Sequence, residues 1–134
     1  MLRLVLDTNV LVSAIINPAG APAAILDGFL DGRWDAVASP EILAEYREVL
    51  GRRKFGFPAN RVAWLMTRIE KSAIVLYPNI AVRACADPSD DKFLACGQAG
   101  MATHVVTGNM RHFPGRAWEG LRIVSPAEFI REAL

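Results

Sequence analysis

Residues 2–13 read Leu2-Arg3-Leu4-Val5-Leu6-Asp7-Thr8-Asn9-Val10-Leu11-Val12-Ser13. A short apolar run rich in strand formers stops abruptly at the polar triplet Asp7-Thr8-Asn9, which is how a buried strand with a polar carboxyl end is written. Val10 to Ile16 then reads as helix, Asn17-Pro18-Ala19-Gly20 as a loop, and Pro22 to Leu30 as a second helix that stops near Gly32.

The same alternation continues outward from this opening. Trp34 to Ala38 is a strand candidate, and Ser39-Pro40 starts a helix with serine at the cap and proline at the first position. Ile42, Tyr46, Val49 and Leu50 share one face of that helix. A helix over Asn60 to Lys71 and a strand over Ala73 to Tyr77, ended by Pro78-Asn79, come next, and 80–86 has no clear assignment. Asp87-Pro88-Ser89-Asp90 starts a helix that runs to about Gly100. Thr103 to Thr107 is a strand followed by the turn Gly108-Asn109, and Leu121 to Val124 is the last strand before Ser125-Pro126-Ala127-Glu128 caps a terminal helix. Strands alternating with helices predict an α/β fold with a central, mostly parallel sheet flanked by helices. In such sheets ligands bind beyond the carboxyl ends of the strands.

The bulk properties set limits. A chain of 134 residues, 52% apolar and 22% charged, fits one domain over 1–134 with a single core. No stretch approaches the roughly 18 to 20 apolar residues of a membrane helix, and no basic, then apolar, leader opens the chain, so a cytoplasmic protein away from membranes is expected. Cys85 and Cys96 lack metal-site or disulfide spacing and read as core residues. A net charge of +1 means that nucleic-acid binding would have to come from local patches such as Arg47, Arg52, Arg53 and Lys54, or Arg111, His112 and Arg116. A solvated charged surface accounts for those patches equally well.

The polar residues at the strand ends carry the chemistry. Asp7 closes the first strand, Asn109 follows another, and Asp87, Asp90 and Asp91 crowd a helix start. Glu45 lies at the border of its helix's apolar stripe and is expected to point toward the domain. Projected on an α-helix, Asp91 shares a face with Leu94 and Ala95, whereas Asp90 turns away and suits capping. Carboxylates in one cleft repel each other unless a hard cation holds them, which makes Mg2+ (or Mn2+) the expected ion. Such an ion activates water and stabilises charge on a phosphodiester, a chemistry that fits hydrolysis of nucleic acid.

Four segments in order, Asp7-Thr8-Asn9-Val10-Leu11-Val12-Ser13, Ser39-Pro40-Glu41-Ile42-Leu43-Ala44-Glu45-Tyr46, Asp87-Pro88-Ser89-Asp90-Asp91-Lys92-Phe93-Leu94-Ala95 and Val105-Val106-Thr107-Gly108-Asn109, closely resemble PIN-domain nucleases across nearly the whole chain. The resemblance implies a three-layer PIN-like fold and a metal-dependent endoribonuclease, with RNA as substrate. It further implies the toxin of a toxin-antitoxin pair, with an antitoxin protein as partner and a homodimer as the assembly. By position, Asp7, Glu45 and Asp91 match the principal acidic residues, with Asp7 and Asp91 as metal ligands and Glu45 binding a second ion or orienting water. Asp87 and Asp90 match an additional acidic cluster, Thr107 a hydroxyl beside the site, and Asn9 a brace for the Asp7 loop. Asn109 departs from the family, which commonly has an aspartate there, and so weakens any second metal site.

Without the resemblance the readings are plainer. Asp7 closes a strand, Glu45 is a solvated helix residue, Asp87 and Asp90 are caps, and Asp91 is divided between helix electrostatics and catalysis. Two other functions stay open: a catalytically weakened RNA-binding or regulatory module, motivated by Asn109, and a phosphoacceptor domain using Asp7. The second is disfavoured by the missing partner of an Asp-x-Asp pair.

Overall fold

The computed structural model covers all 134 residues. Its strands are β1 (Arg3–Leu6), β2 (Asp35–Ala38), β3 (Ile74–Val75), β4 (His104–Val106), β5 (Ala117–Trp118) and β6 (Leu121–Val124). Its helices are α1 (Thr8–Ile16), α2 (Ala21–Leu30), α3 (Pro40–Leu50), α4 (Ala59–Ser72), α5 (Asp91–Ala99) and α6 (Pro126–Ala133).

The sheet order is β3-β2-β1-β4-β6-β5, with every pair parallel except β5 against β6. Helices cover both faces and make three layers. Leu4, Val5 and Leu6 are therefore all buried, as expected of a parallel strand covered on both sides. A side chain at Gly97 of α5 would press within 2.9 Å of Leu121 and 3.2 Å of Val5, so this glycine lets α5 lie directly on the sheet. Trp34 closes the far end of the core, donating its ring N–H to the Ile25 carbonyl at 2.9 Å and meeting Phe129 edge-on at 5.1 Å.

The chain steps from β1 outward to β2 and β3, then crosses back to place β4 on β1's other side. Strand order therefore reverses between β1 and β4, which opens a crevice at their carboxyl ends. The two register-matched residues there are Leu6 and Val106, so Asp7 and Thr107 emerge side by side.

Local sequence signals account for most boundaries. Ser39 accepts the Ile42 amide at 3.2 Å, and Ser125 with Glu128 forms a reciprocal capping box. Three departures have physical causes. The strand expected over 73–77 keeps only Ile74 and Val75, because it pairs on one side alone and stays exposed. The helix expected from Asp87 begins as a 3-10 turn, Pro88–Asp90, before α5. Strand β5 was not foreseen: a two-residue antiparallel hairpin with β6 turns through Glu119 and Gly120, both at positive φ, and glutamate is a poor signal for that conformation. No single helix is long and apolar enough to cross a membrane.

Candidate active site

Asp7 is the first residue beyond β1, yet its amide still donates to the Val106 carbonyl at 3.0 Å. Its backbone caps α1, but its side chain makes no capping hydrogen bond, so the carboxylate is free to face the crevice. Oδ2 accepts the Thr107 hydroxyl at 2.8 Å and the Asn9 side-chain N–H at 3.3 Å. Thr107 can offer its single proton to Asp7 because its oxygen accepts the Asn109 amide at 2.9 Å. Asn9 accepts the Gly108 amide at 3.0 Å. Asn9, Thr107 and the Gly108-Asn109 turn thus clamp Asp7 from both strand ends.

Asp7 is only 6% exposed. Burial raises its pKa above the usual carboxylate value, and the charges of Asp90 and Glu45 push the same way against the Thr107 hydrogen bond. The crevice therefore gathers carboxylates from α3 and from the start of α5 around Asp7.

Glu45 reaches it because Tyr46, buried on the same helix, donates its hydroxyl to the Leu6 carbonyl at 2.5 Å. That contact pins α3 to the carboxyl end of β1. Glu45 Oε2 accepts the Thr8 hydroxyl, and Oε1 pairs with the Lys92 ammonium at 2.7 Å.

The start of α5 differs from the sequence expectation. Asp91 Oδ1 accepts the Ala84 amide at 3.1 Å and the Cys85 amide at 2.8 Å, which fastens the irregular 80–86 segment to α5. Burial opposes ionisation of Asp91, but hydrogen bonds from Cys85 and Ala84 outweigh it and lower the pKa. Asp90, expected to turn away as a cap, makes no capping hydrogen bond and is the α5-end carboxylate whose charge bears on Asp7. Its own pKa is raised by burial, with Asp87 and Glu45 adding to the shift and His112 and Lys92 opposing it. For Asp90 the cause is the 3-10 turn Pro88–Asp90, which at three residues per turn rotates its side chain away from the direction an α-projection gives. Asp91, the first residue of α5, lines the same cleft as Ala95, as its projection implies.

Asp87 does cap, accepting the Ser89 amide at 2.9 Å from an exposed position. His112 stands with Nδ1 3.4 Å from Asp90 Oδ2 and is half exposed. Asn109 is exposed and contributes its backbone to the clamp. Beside the crevice, Ser39, Pro40, Glu41, Tyr77, Asp91 and Lys92 help line a cleft of about 440 Å³. The basic patches are partly committed elsewhere: Arg47 pairs with Glu70, Arg52 with Glu48 at 2.8 Å, and Arg116 with Glu128 at 3.0 Å. Cys96 is fully buried, Cys85 partly so, and both thiols are free. Sequence reasoning missed Thr8, Tyr46 and Lys92 as site residues. Only the string Asp90-Asp91-Lys92, a cation among carboxylates, hinted at the last.

No three carboxylate, histidine or thiol groups converge tightly enough to form a protein-only metal shell. Asp7 and Asp90 instead offer hard oxygen donors whose mutual repulsion a cation would relieve. Mg2+ commonly takes one or two carboxylates and keeps several waters, and this donor set fits that habit.

A family model described as PIN domain matches residues 3–111. The chain belongs to the PIN domain family. Members of the family are generally nucleases and typically use divalent metals. The match spans Asp7, Glu45, the Asp87–Asp91 cluster, Thr107 and Asn109, so the crevice lies wholly within the PIN domain. This PIN domain is also similar to the uncharacterized protein MJ1680 of Methanocaldococcus jannaschii, with 30% identity over 142 aligned positions, 98% of this chain and 91% of that protein.

Proposed function

We propose that this PIN domain is a divalent-metal-dependent endoribonuclease that hydrolyses RNA phosphodiester bonds and acts as the toxin of a toxin-antitoxin pair. The observation that supports it most is the buried Asp7 carboxylate, clamped at the β1/β4 switch point and raised in pKa beside Asp90 and Glu45. Asp7 with Asp90 would hold Mg2+ or Mn2+, and Asp91, whose Oδ1 is already committed, is the alternative donor from α5. When bound, such an ion supplies Lewis-acid polarisation of the phosphoryl oxygen and a more acidic water.

The chain's own residues do the rest. Thr107 and Asn9 fix the orientation of Asp7, because each hydrogen bond also restricts the carboxylate's rotation. Thr8 and Lys92 fix Glu45 at the edge of the crevice, where it would help orient the attacking water. The toxin role follows the family resemblance and calls for a protein partner. An apolar groove of about 250 Å³ lined by α1, α2 and α4, beside a Trp64 that is 59% exposed, supports such a partner or a second copy. The cytoplasm is the proposed compartment.

The test is cleavage of a mixed RNA pool by purified protein with Mg2+, Mn2+ or chelator, beside an Asp7→Asn variant. Metal-dependent cutting that disappears in the variant supports the nuclease. RNA binding without cutting under every condition would favour a weakened RNA-binding module, the reading that the neutral Asn109 and the neutralised Glu45 motivate.

A further inference from the structure

We propose that Lys92 is the resident cation of the carboxylate crevice: its ammonium neutralises Glu45, keeps that carboxylate out of the metal's ligand set, and limits the domain to one divalent ion per chain. The identity of the ion rests on the nuclease reading above; the content of the proposal rests on the Lys92 geometry.

The Lys92 side chain is only 9% exposed. An ammonium so nearly buried must be paired and hydrogen-bonded, since desolvation otherwise outweighs any benefit. It meets that requirement inside the crevice. Its Nζ lies 2.7 Å from Glu45 Oε1 and also donates to the Ser89 carbonyl, while sitting 5.1 Å from the Phe93 ring centre. The ammonium is therefore fixed between α3 and the 3-10 turn that carries Asp90.

Glu45 is in consequence engaged at both oxygens, by Thr8 on Oε2 and Lys92 on Oε1. Asp7 differs, because both of its side-chain hydrogen bonds fall on Oδ2. Asp90 differs too, with the His112 ring 3.4 Å away and no lysine or arginine paired with it. Of Asp7 and the two carboxylates whose charges bear on it, Asp90 and Glu45, one is already neutralised by a covalently attached cation. The remaining two match the carboxylates a single, mostly hydrated ion requires. At the β4 end, Asn109 adds no charge that would recruit a second ion. Lys92 is thus a positioning residue, and the second positive charge beside a phosphodiester would be its ammonium instead of a second metal.

The experiment is Mn2+ binding to the whole protein, with calorimetric stoichiometry checked by the electron paramagnetic resonance signal of free Mn2+. Wild type should take one Mn2+ per chain, Lys92→Met should take a second, and its cleavage rate should rise sigmoidally with Mn2+. Glu45→Gln, a near-isosteric change at a partly exposed residue, tests the idea independently of the folding of Lys92→Met. It should still bind one Mn2+ per chain, because Glu45 is not a ligand, but with a raised Kd, because the Lys92 ammonium is left unpaired beside the ion. A one-ion isotherm for a folded Lys92→Met, or loss of Mn2+ binding in Glu45→Gln, overturns the Lys92 role and leaves the nuclease reading standing. Absence of Mn2+ binding in all three proteins overturns both. A purely structural lysine would lower Tm on replacement without altering the ion count.

Discussion

Replacing Asp7 by Asn should separate stability from activity. Asn has nearly the same shape, and its carbonyl oxygen can still accept the Thr107 hydroxyl and the Asn9 amide that Oδ2 now takes. What disappears is a charge held at 6% exposure near two other carboxylates. Because burial raises the folded-state pKa of Asp7, the folded protein binds that proton more tightly than the unfolded chain, so ionised Asp7 opposes folding at neutral pH. Removing the charge should stabilise the domain by about 1 kcal/mol, or roughly 4 °C in Tm for a chain of this size. The gain should be absent at a pH below the ordinary carboxylate range. It should grow as pH rises from that range through the raised value of Asp7, and stay constant above it. Metal-dependent cleavage should fall by about 1,000-fold, roughly 4 kcal/mol, because a neutral amide is a poor ligand for a hard cation. Thermal melts at several pH values beside initial cleavage rates measure both effects. A variant that melts below wild type at neutral pH would refute the electrostatic reasoning, and one that cuts at the wild-type rate would refute the assignment of Asp7.

Other consequences reach beyond the crevice. Asp91→Ala should free the Ala84 and Cys85 amides that Asp91 now holds, with a cost of about 1–2 kcal/mol; hydrogen exchange should accelerate at those two amides, and unchanged protection would sink the clamp. Gly28→Ala would place a methyl 2.1 Å from the Trp34 ring, so urea titration should show a loss of about 2 kcal/mol, and an unmoved midpoint would mean that the tryptophan has room to shift. His104 is held neutral by burial, with Arg122 adding to the lowered pKa and Glu132 opposing it. The unfolded chain therefore takes up a proton that the folded one resists, and stability should decline as pH falls below about 6.5; His104→Phe should flatten that dependence between urea melts at neutral and mildly acidic pH, and equal slopes would exclude His104 as its source.

Strand β1 ending at Asp7, helix α3 starting from Ser39-Pro40, and the capping box at Ser125 and Glu128 were legible in the sequence because each is fixed by neighbours within a few residues. The parallel α/β plan followed from their alternation, and the polar strand ends marked where a site would form. What the sequence could not supply was convergence. Thr107 meets Asp7 across 100 residues, and Glu45 meets Lys92 only because Tyr46 fastens α3 to the Leu6 carbonyl. Helical projection also misjudged Asp90, since a 3-10 turn rotates successive side chains further than an α-turn does. The sequence by itself determined most of the strands and helices and which carboxylates lay at their ends, because hydrophobic period and capping are local. Which of those carboxylates share one crevice, and which is already neutralised by Lys92, was decided by tertiary packing, because side-chain direction there depends on contacts between residues far apart in the chain.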